Sequence, residues 1–138
     1  MSRKDSRESA FKFLYQLEIQ KDDFDSQKIL FIEEMKVKEN EIEYFDLLVS
    51  GVTANKSGID TIYAGYLNKW NLDRIPKVDQ TILRIATYEL LHVADVPANV
   101  SISEAVLLSK KYSTDEARAY INGILGKLSA DHPKKRCE

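Results

Sequence analysis

Val78-Asp79-Gln80-Thr81-Ile82-Leu83-Arg84-Ile85-Ala86-Thr87-Tyr88-Glu89-Leu90-Leu91-His92 is the stretch on which the fold turns. Val78, Ile82, Ile85, Ala86 and Leu90 recur at three- and four-residue spacing, with Glu89 on the same stripe. That period is helical. Leu83, Tyr88 and Leu91 extend the apolar surface beyond one stripe, which predicts a helix at the centre of a bundle, ending near His92.

Working outward, Ala10, Phe13, Leu14 and Leu17 form the stripe of an amphipathic helix over residues 6–20. Asp22-Asp23-Phe24-Asp25-Ser26 is a polar break with an N-cap signal. It precedes a shorter apolar segment, Ile29 to Met35, and a charged turn, Lys36 to Glu39. From Glu41 to Leu67 the apolar positions suit one long helix or two that meet near Asn55-Lys56-Ser57-Gly58. Two are expected, because Ser57 and Gly58 weaken a helix interior. Pro76 resets the chain, Asp95-Val96-Pro97-Ala98-Asn99 forms a loop, and Ser101 or Ser103 is the expected cap of a helix ending near Tyr112. Ser113-Thr114-Asp115-Glu116 then reads as a capping box, opening a last helix with Ala117, Tyr120, Ile121, Ile124, Leu125 and Leu128 on its stripe. The expectation is an all-α fold of six or seven helices.

The chain has 138 residues, the size of one domain, with 43% hydrophobic and 30% charged residues. Five Gly and three Pro are too few for a many-turned β fold. The net charge of −2 means that any nucleic-acid site must be a local patch. A single cysteine, Cys137, allows no intramolecular disulfide. The start is polar and carries no signal-peptide pattern, and no run approaches a membrane span, so a soluble cytoplasmic protein is expected.

Catalytic constellations are missing from the sequence. His92 and His132 have no partner at metal spacing, and His92 reads as a cap at a helix C-terminus. Asn122-Gly123-Ile124-Leu125-Gly126 lacks the Lys-Ser/Thr of a phosphate loop. Neither an enzyme, a cofactor nor a metal is expected. Two features remain. Arg3, Lys4 and Arg7 lie within one helical turn, with Lys12 further on, and can face a phosphate backbone together or simply solvate a helix start. Tyr15, Tyr112 and Tyr120 could stack bases, or could be core rings with wet hydroxyls.

Three ordered motifs carry a family resemblance: Ile82-Leu83-Arg84-Ile85-Ala86-Thr87-Tyr88-Glu89-Leu90, Val96-Pro97 with Val100-Ser101-Ile102-Ser103-Glu104-Ala105, and Tyr120-Ile121-Asn122-Gly123-Ile124-Leu125. With Arg7-Glu8-Ser9-Ala10 and Leu14-Tyr15 near the start, the chain resembles the NusB family of bacterial transcription antitermination factors over nearly its whole length. The resemblance implies two small helical subdomains, about 1–70 and 71–130, followed by a polar tail, 131–138. It implies pairing with the small-subunit ribosomal protein NusE, binding of boxA RNA in nascent ribosomal transcripts, and action on the RNA polymerase elongation complex with other Nus factors. Some NusB-like proteins self-associate, so a homodimer is a further implication.

Carried onto this chain, the resemblance assigns RNA phosphates to Arg3, Lys4 and Arg7, and RNA-facing aromatic positions to Tyr15 and Tyr120. Glu116 matches an acidic position that influences this surface, and Asp79 an acidic position at the NusE contact. Arg84, Glu89 and Glu104 are assigned to polar contacts that hold a helix corner. Asp5 interrupts what is often a denser arginine run; Ser103 stands for the usual Asn and Tyr120 for the usual Phe. Ala119 replaces a base found in some relatives, a loss for which Arg118 compensates. The alternative reading is a NusB-like protein-interaction module without RNA specificity.

Overall fold

The computed structural model describes residues 3–21, 23–67 and 74–134. They form six helices and, among the described residues, no strand: α1 (Arg3–Ile19), α2 (Phe24–Glu34), α3 (Glu39–Ala64), α4 (Lys77–His92), α5 (Ala98–Tyr112) and α6 (Asp115–Asp131). The all-α expectation stands, with six helices among the described residues. The subdomain boundary expected near residue 70 and Cys137 lie outside the described residues.

Helix α4 is the hub. Eleven of its 16 residues are buried, and it packs against α1, α3, α5 and α6, as its broad apolar surface predicts. α1 lies across α3 and α4, and α5 pairs with α6. α2 rests on this frame through Phe31, whose ring lies parallel to Phe45 at 5.7 Å; Phe13 meets Phe45 edge-on at 5.8 Å. Such aromatic pairs contribute about 0.5–1.5 kcal/mol beyond the area that they bury.

Local chemistry sets the ends. The Asp23 carboxylate accepts a hydrogen bond from the Ser26 backbone N–H at 2.9 Å and caps α2. The Thr114 hydroxyl accepts one from the Ala117 N–H at 3.0 Å and caps α6. α5 departs from expectation. It begins after Pro97, in extended backbone with φ −61°, so Ser101 lies inside the helix and is buried. Proline holds the chain ready to enter the helix without a side-chain cap.

The larger departure is α3, which is one helix of 26 residues rather than two. Ser57 and Gly58 lie on its exposed side, while Ile59 and Tyr63 are fully buried. The Gly penalty of about 1 kcal/mol is smaller than the gain from burying two large side chains, at about 1.5–3 kcal/mol each. Gly51 is needed for close approach: a β-carbon there would lie 2.2 Å from Tyr88 Cζ of α4.

Two charged networks tie the helices together. Arg84 of α4 donates from Nε to Asp60 of α3 at 2.8 Å and from Nη1 to Glu18 of α1, and Lys56 of α3 reaches the same Glu18 at 2.8 Å. The second centres on Glu89 of α4. Its Oε2 accepts from Arg7 Nε of α1 at 2.7 Å and from the Tyr44 hydroxyl of α3. Arg7 also reaches Glu104 of α5 at 3.6 Å. The corner-holding role assigned to Glu89 and Glu104 thus runs through Arg7, whereas Arg84 serves the junction of α1 and α3. At the loop between α4 and α5, Asp95 pairs with Arg3 at 3.1 Å, and Lys134 donates to the carbonyls of Val93 and Val96.

Candidate nucleic-acid interface

The N-terminal half of α1 presents Lys4, Glu8 and Lys12 at four-residue intervals, which places them along one face of the helix. The end of α5 lies against that face. Lys111 Nζ and the Tyr112 hydroxyl both donate to Glu8 Oε2, the lysine at 2.5 Å. Lys4, Arg7, Glu8, Glu104, Leu107, Leu108 and Lys111 line one groove between the two helices. Burial alone would raise the Glu8 carboxyl, but the hydrogen bonds from Lys111 and Tyr112, helped by the charges of Lys111 and Lys12, outweigh it and hold Glu8 below its ordinary value. The hydrogen bond to Glu8 raises Lys111 in turn.

Aromatic rings adjoin this strip. Tyr15, one further turn along α1, is half-buried with its ring nearly parallel to Phe11 at 6.2 Å. Phe11 packs at 4.8 Å against Tyr112. Cations and partly exposed π faces therefore share one surface, the combination by which single strands are gripped. Arg3 is half-exposed and turned to α3, with its guanidinium 4.3 Å from the centre of the Tyr44 ring and paired with Asp95. Lys4 is exposed.

Arg7 does not join Arg3 and Lys4 on the surface. Its side chain is 5% exposed and its charge is matched by Glu89 and Glu104, so of the three bases expected at a phosphate it is the one held inward. The physical reason is helical phase: residue 7 points inward, where Glu89 of α4 and Glu104 of α5 receive it.

Asp79 is enclosed as well. It is 1% exposed, and its carboxylate accepts from the Ser113 hydroxyl at 2.5 Å and from the Tyr120 hydroxyl. An acid so enclosed ties Ser113 and α6 to α4. Tyr120 is half-buried; burial first and Asp79 second push its hydroxyl far above the ordinary tyrosine value. On the first turns of α6, Glu116 is exposed, and Arg118 pairs with Asp115 at 3.0 Å. Asp79→Ala is expected to lower stability by about 1–3 kcal/mol, the penalty of leaving buried donors unsatisfied. Urea titration measures this, and an unchanged midpoint would place Asp79 on an open surface instead.

Lys111 and Tyr112 enter the surface through tertiary structure. The run Lys110-Lys111-Tyr112 is a sequence signal of the right kind, a basic pair beside a ring. Nothing local ties it to a helix more than 100 residues earlier. Elsewhere, His92 ends α4 with its ring 5.0 Å from Tyr88, and the described residues hold no cluster of three metal-ligating side chains. Among them, too, no helix is long and apolar enough to cross a membrane.

Comparison with known proteins identifies the fold that carries this surface. The NusB family matches residues 4–130. The transcription antitermination protein NusB of Acetivibrio thermocellus is 45% identical across all of this chain and 99% of that protein. The structure of T. maritima NusB superposes with a TM-score of 0.85 at 34% identity, covering 96% of this chain and 93% of that one. A structure of the antitermination factors NusB and NusE in complex with double-stranded RNA matches with a TM-score of 0.84 at 26% identity, covering 94% of this chain and 96% of that one. A family match of this extent, joined to identity and fold over the full length, means that the chain belongs to the NusB family.

Proposed function

We propose that the chain is a cytoplasmic, RNA-binding transcription antitermination factor. It pairs with the ribosomal protein NusE, binds boxA RNA in nascent ribosomal transcripts, and joins the RNA polymerase elongation complex with other Nus factors to promote processive elongation. The observation that carries this reading is the strip of Lys4, Lys12 and Lys111 beside Tyr15 and Tyr112, on a chain folded like the NusB that is bound to NusE and RNA. Arg3 and Lys4 hold phosphates at one end. Tyr15 and Tyr120 offer rings to bases, each contributing about 1–3 kcal/mol where it stacks. Glu116 and Arg118 shape the edge of the surface on α6, and Asp79 acts on it by holding Tyr120.

With a net charge of −2, the chain has no global attraction for RNA, so affinity depends on a few local phosphate contacts and falls as salt rises. Fluorescence anisotropy of labelled boxA RNA and a scrambled control, titrated with and without NusE, tests the reading. The expected result is weak binding alone and tighter, boxA-selective binding with NusE. Lys4→Ala should weaken that binding and flatten the salt slope by about one unit. Equal affinity for both RNAs in the presence of NusE would overturn the proposal in favour of an interaction module without RNA specificity.

A further inference from the structure

An acid in the middle of a phosphate-binding strip needs a reason. Glu8 has Lys4 one turn before it and Lys12 one turn after it, and it is joined across the α1–α5 groove by Lys111 and Tyr112. Both donors use the same oxygen, Oε2, as they would use one oxygen of a phosphodiester. The Glu8 side chain is 22% exposed and that of Lys111 61%, so the pair is open to solvent on the lysine's side. An incoming phosphate can therefore reach Lys111 without opening the core.

We propose that Glu8 is a built-in counter-ion of the nucleic-acid face: its carboxylate holds the position against Lys111 and Tyr112 that an RNA phosphate takes, and RNA binds by displacing it. This rests on the RNA-binding reading above and adds a control element to it. Without RNA, the carboxylate keeps Lys111 and Tyr112 in place and cancels one of the three lysine charges, which suppresses association with arbitrary polyanions. With RNA, the lysine and the hydroxyl exchange one anionic oxygen for another. Specific binding must then supply enough further contacts to compete with an intramolecular acceptor. A chain built this way binds poorly alone and benefits strongly from a partner that adds contacts.

Glu8→Gln tests this. The substitution keeps size and hydrogen-bonding capacity but removes the competing charge. With NusE present, Glu8→Gln should bind boxA RNA roughly 3- to 10-fold more tightly at low salt, with a salt slope steeper by about one unit. Scrambled RNA should gain by a larger factor, so selectivity falls. Adding Lys111→Gln should cancel the gain, and thermal melts of each variant separate these effects from unfolding. Lys111→Gln in the wild-type background reads the same pair should Glu8→Gln fold poorly: weaker RNA binding without a change in melting supports the proposal, and unchanged binding overturns it. If the wild-type chain selects boxA and Glu8→Gln binds it equally or more weakly, the counter-ion falls while the function stands. If neither protein prefers boxA, both fall together.

Discussion

Arg7→Ala is expected to lower the unfolding free energy by about 3–5 kcal/mol, the typical consequence of removing one partner from a buried ion pair. Arg7 is 5% exposed and Glu89 1% exposed, with 2.7 Å between Nε and Oε2. Without the guanidinium, Glu89 loses its arginine and is left with the Tyr44 hydroxyl bond, and Glu104 loses the charge of Arg7 as well. Arg7→Lys should rescue only part of the loss, because an ammonium is a point charge and cannot address both acids with a planar fork. Urea denaturation followed by helical circular dichroism reads the effect. A wild-type midpoint combined with weaker RNA binding would return Arg7 to the surface role that its neighbours in sequence suggest. The difference matters for interpreting any RNA-binding defect at this position, which is expected to come from a lost fold rather than a lost contact.

Arg84→Ala carries the second large effect, a loss of about 3 kcal/mol. Its guanidinium is shared between Glu18 of α1 and Asp60 of α3; once it is gone, Lys56 and Lys21 still reach Glu18, but Asp60 loses its guanidinium partner within the junction. The junction also has a pH signature. Burial alone would raise the Glu18 carboxyl, but the hydrogen bonds and charges of Lys56 and Arg84 overcome it and hold the group at about 2, against an ordinary 4.5. A carboxyl whose value is depressed by folding contributes stability that is fully present above its unfolded value. That stability is lost as pH falls through the folded one. The wild-type protein should therefore lose stability progressively from about pH 4.5 toward pH 2, and Glu18→Gln should show a shallower decline across that window. A Glu18→Gln variant that loses stability as steeply as the wild type would show that other carboxylates govern acid unfolding.

The helices were largely legible because their signals are local. The breadth of the apolar surface on α4 marks a central helix within a single 15-residue stretch, and the side-chain oxygens of Asp23 and Thr114 mark caps three residues from the N–H groups that they satisfy. α3 was misread where local and tertiary terms oppose each other. Gly58 is visible in the sequence, but the surfaces that cover Ile59 and Tyr63 are not. The site suffers the same limit more severely. An arginine in a basic run looks the same whether water or two distant acids receive it, and the acid that holds Arg7 closest lies 82 positions away. Asp79 likewise reads as a surface acid until Ser113 and Tyr120 close over it. The pairing of Glu8 with Lys111 and Tyr112 spans 103 and 104 positions, beyond any pattern in one sequence.

Those separations also order events during synthesis. α1 leaves the ribosome first, yet the residue that neutralises Arg7 is made 82 positions later, roughly 4–16 s at ordinary elongation rates. Until then its apolar stripe and its cations lie on a nascent helix without its native cover, a natural substrate for a holding chaperone. The strip proposed to face RNA comes into being only when α5 arrives, so a truncated or stalled chain carries the cations of α1 but not the assembled strip.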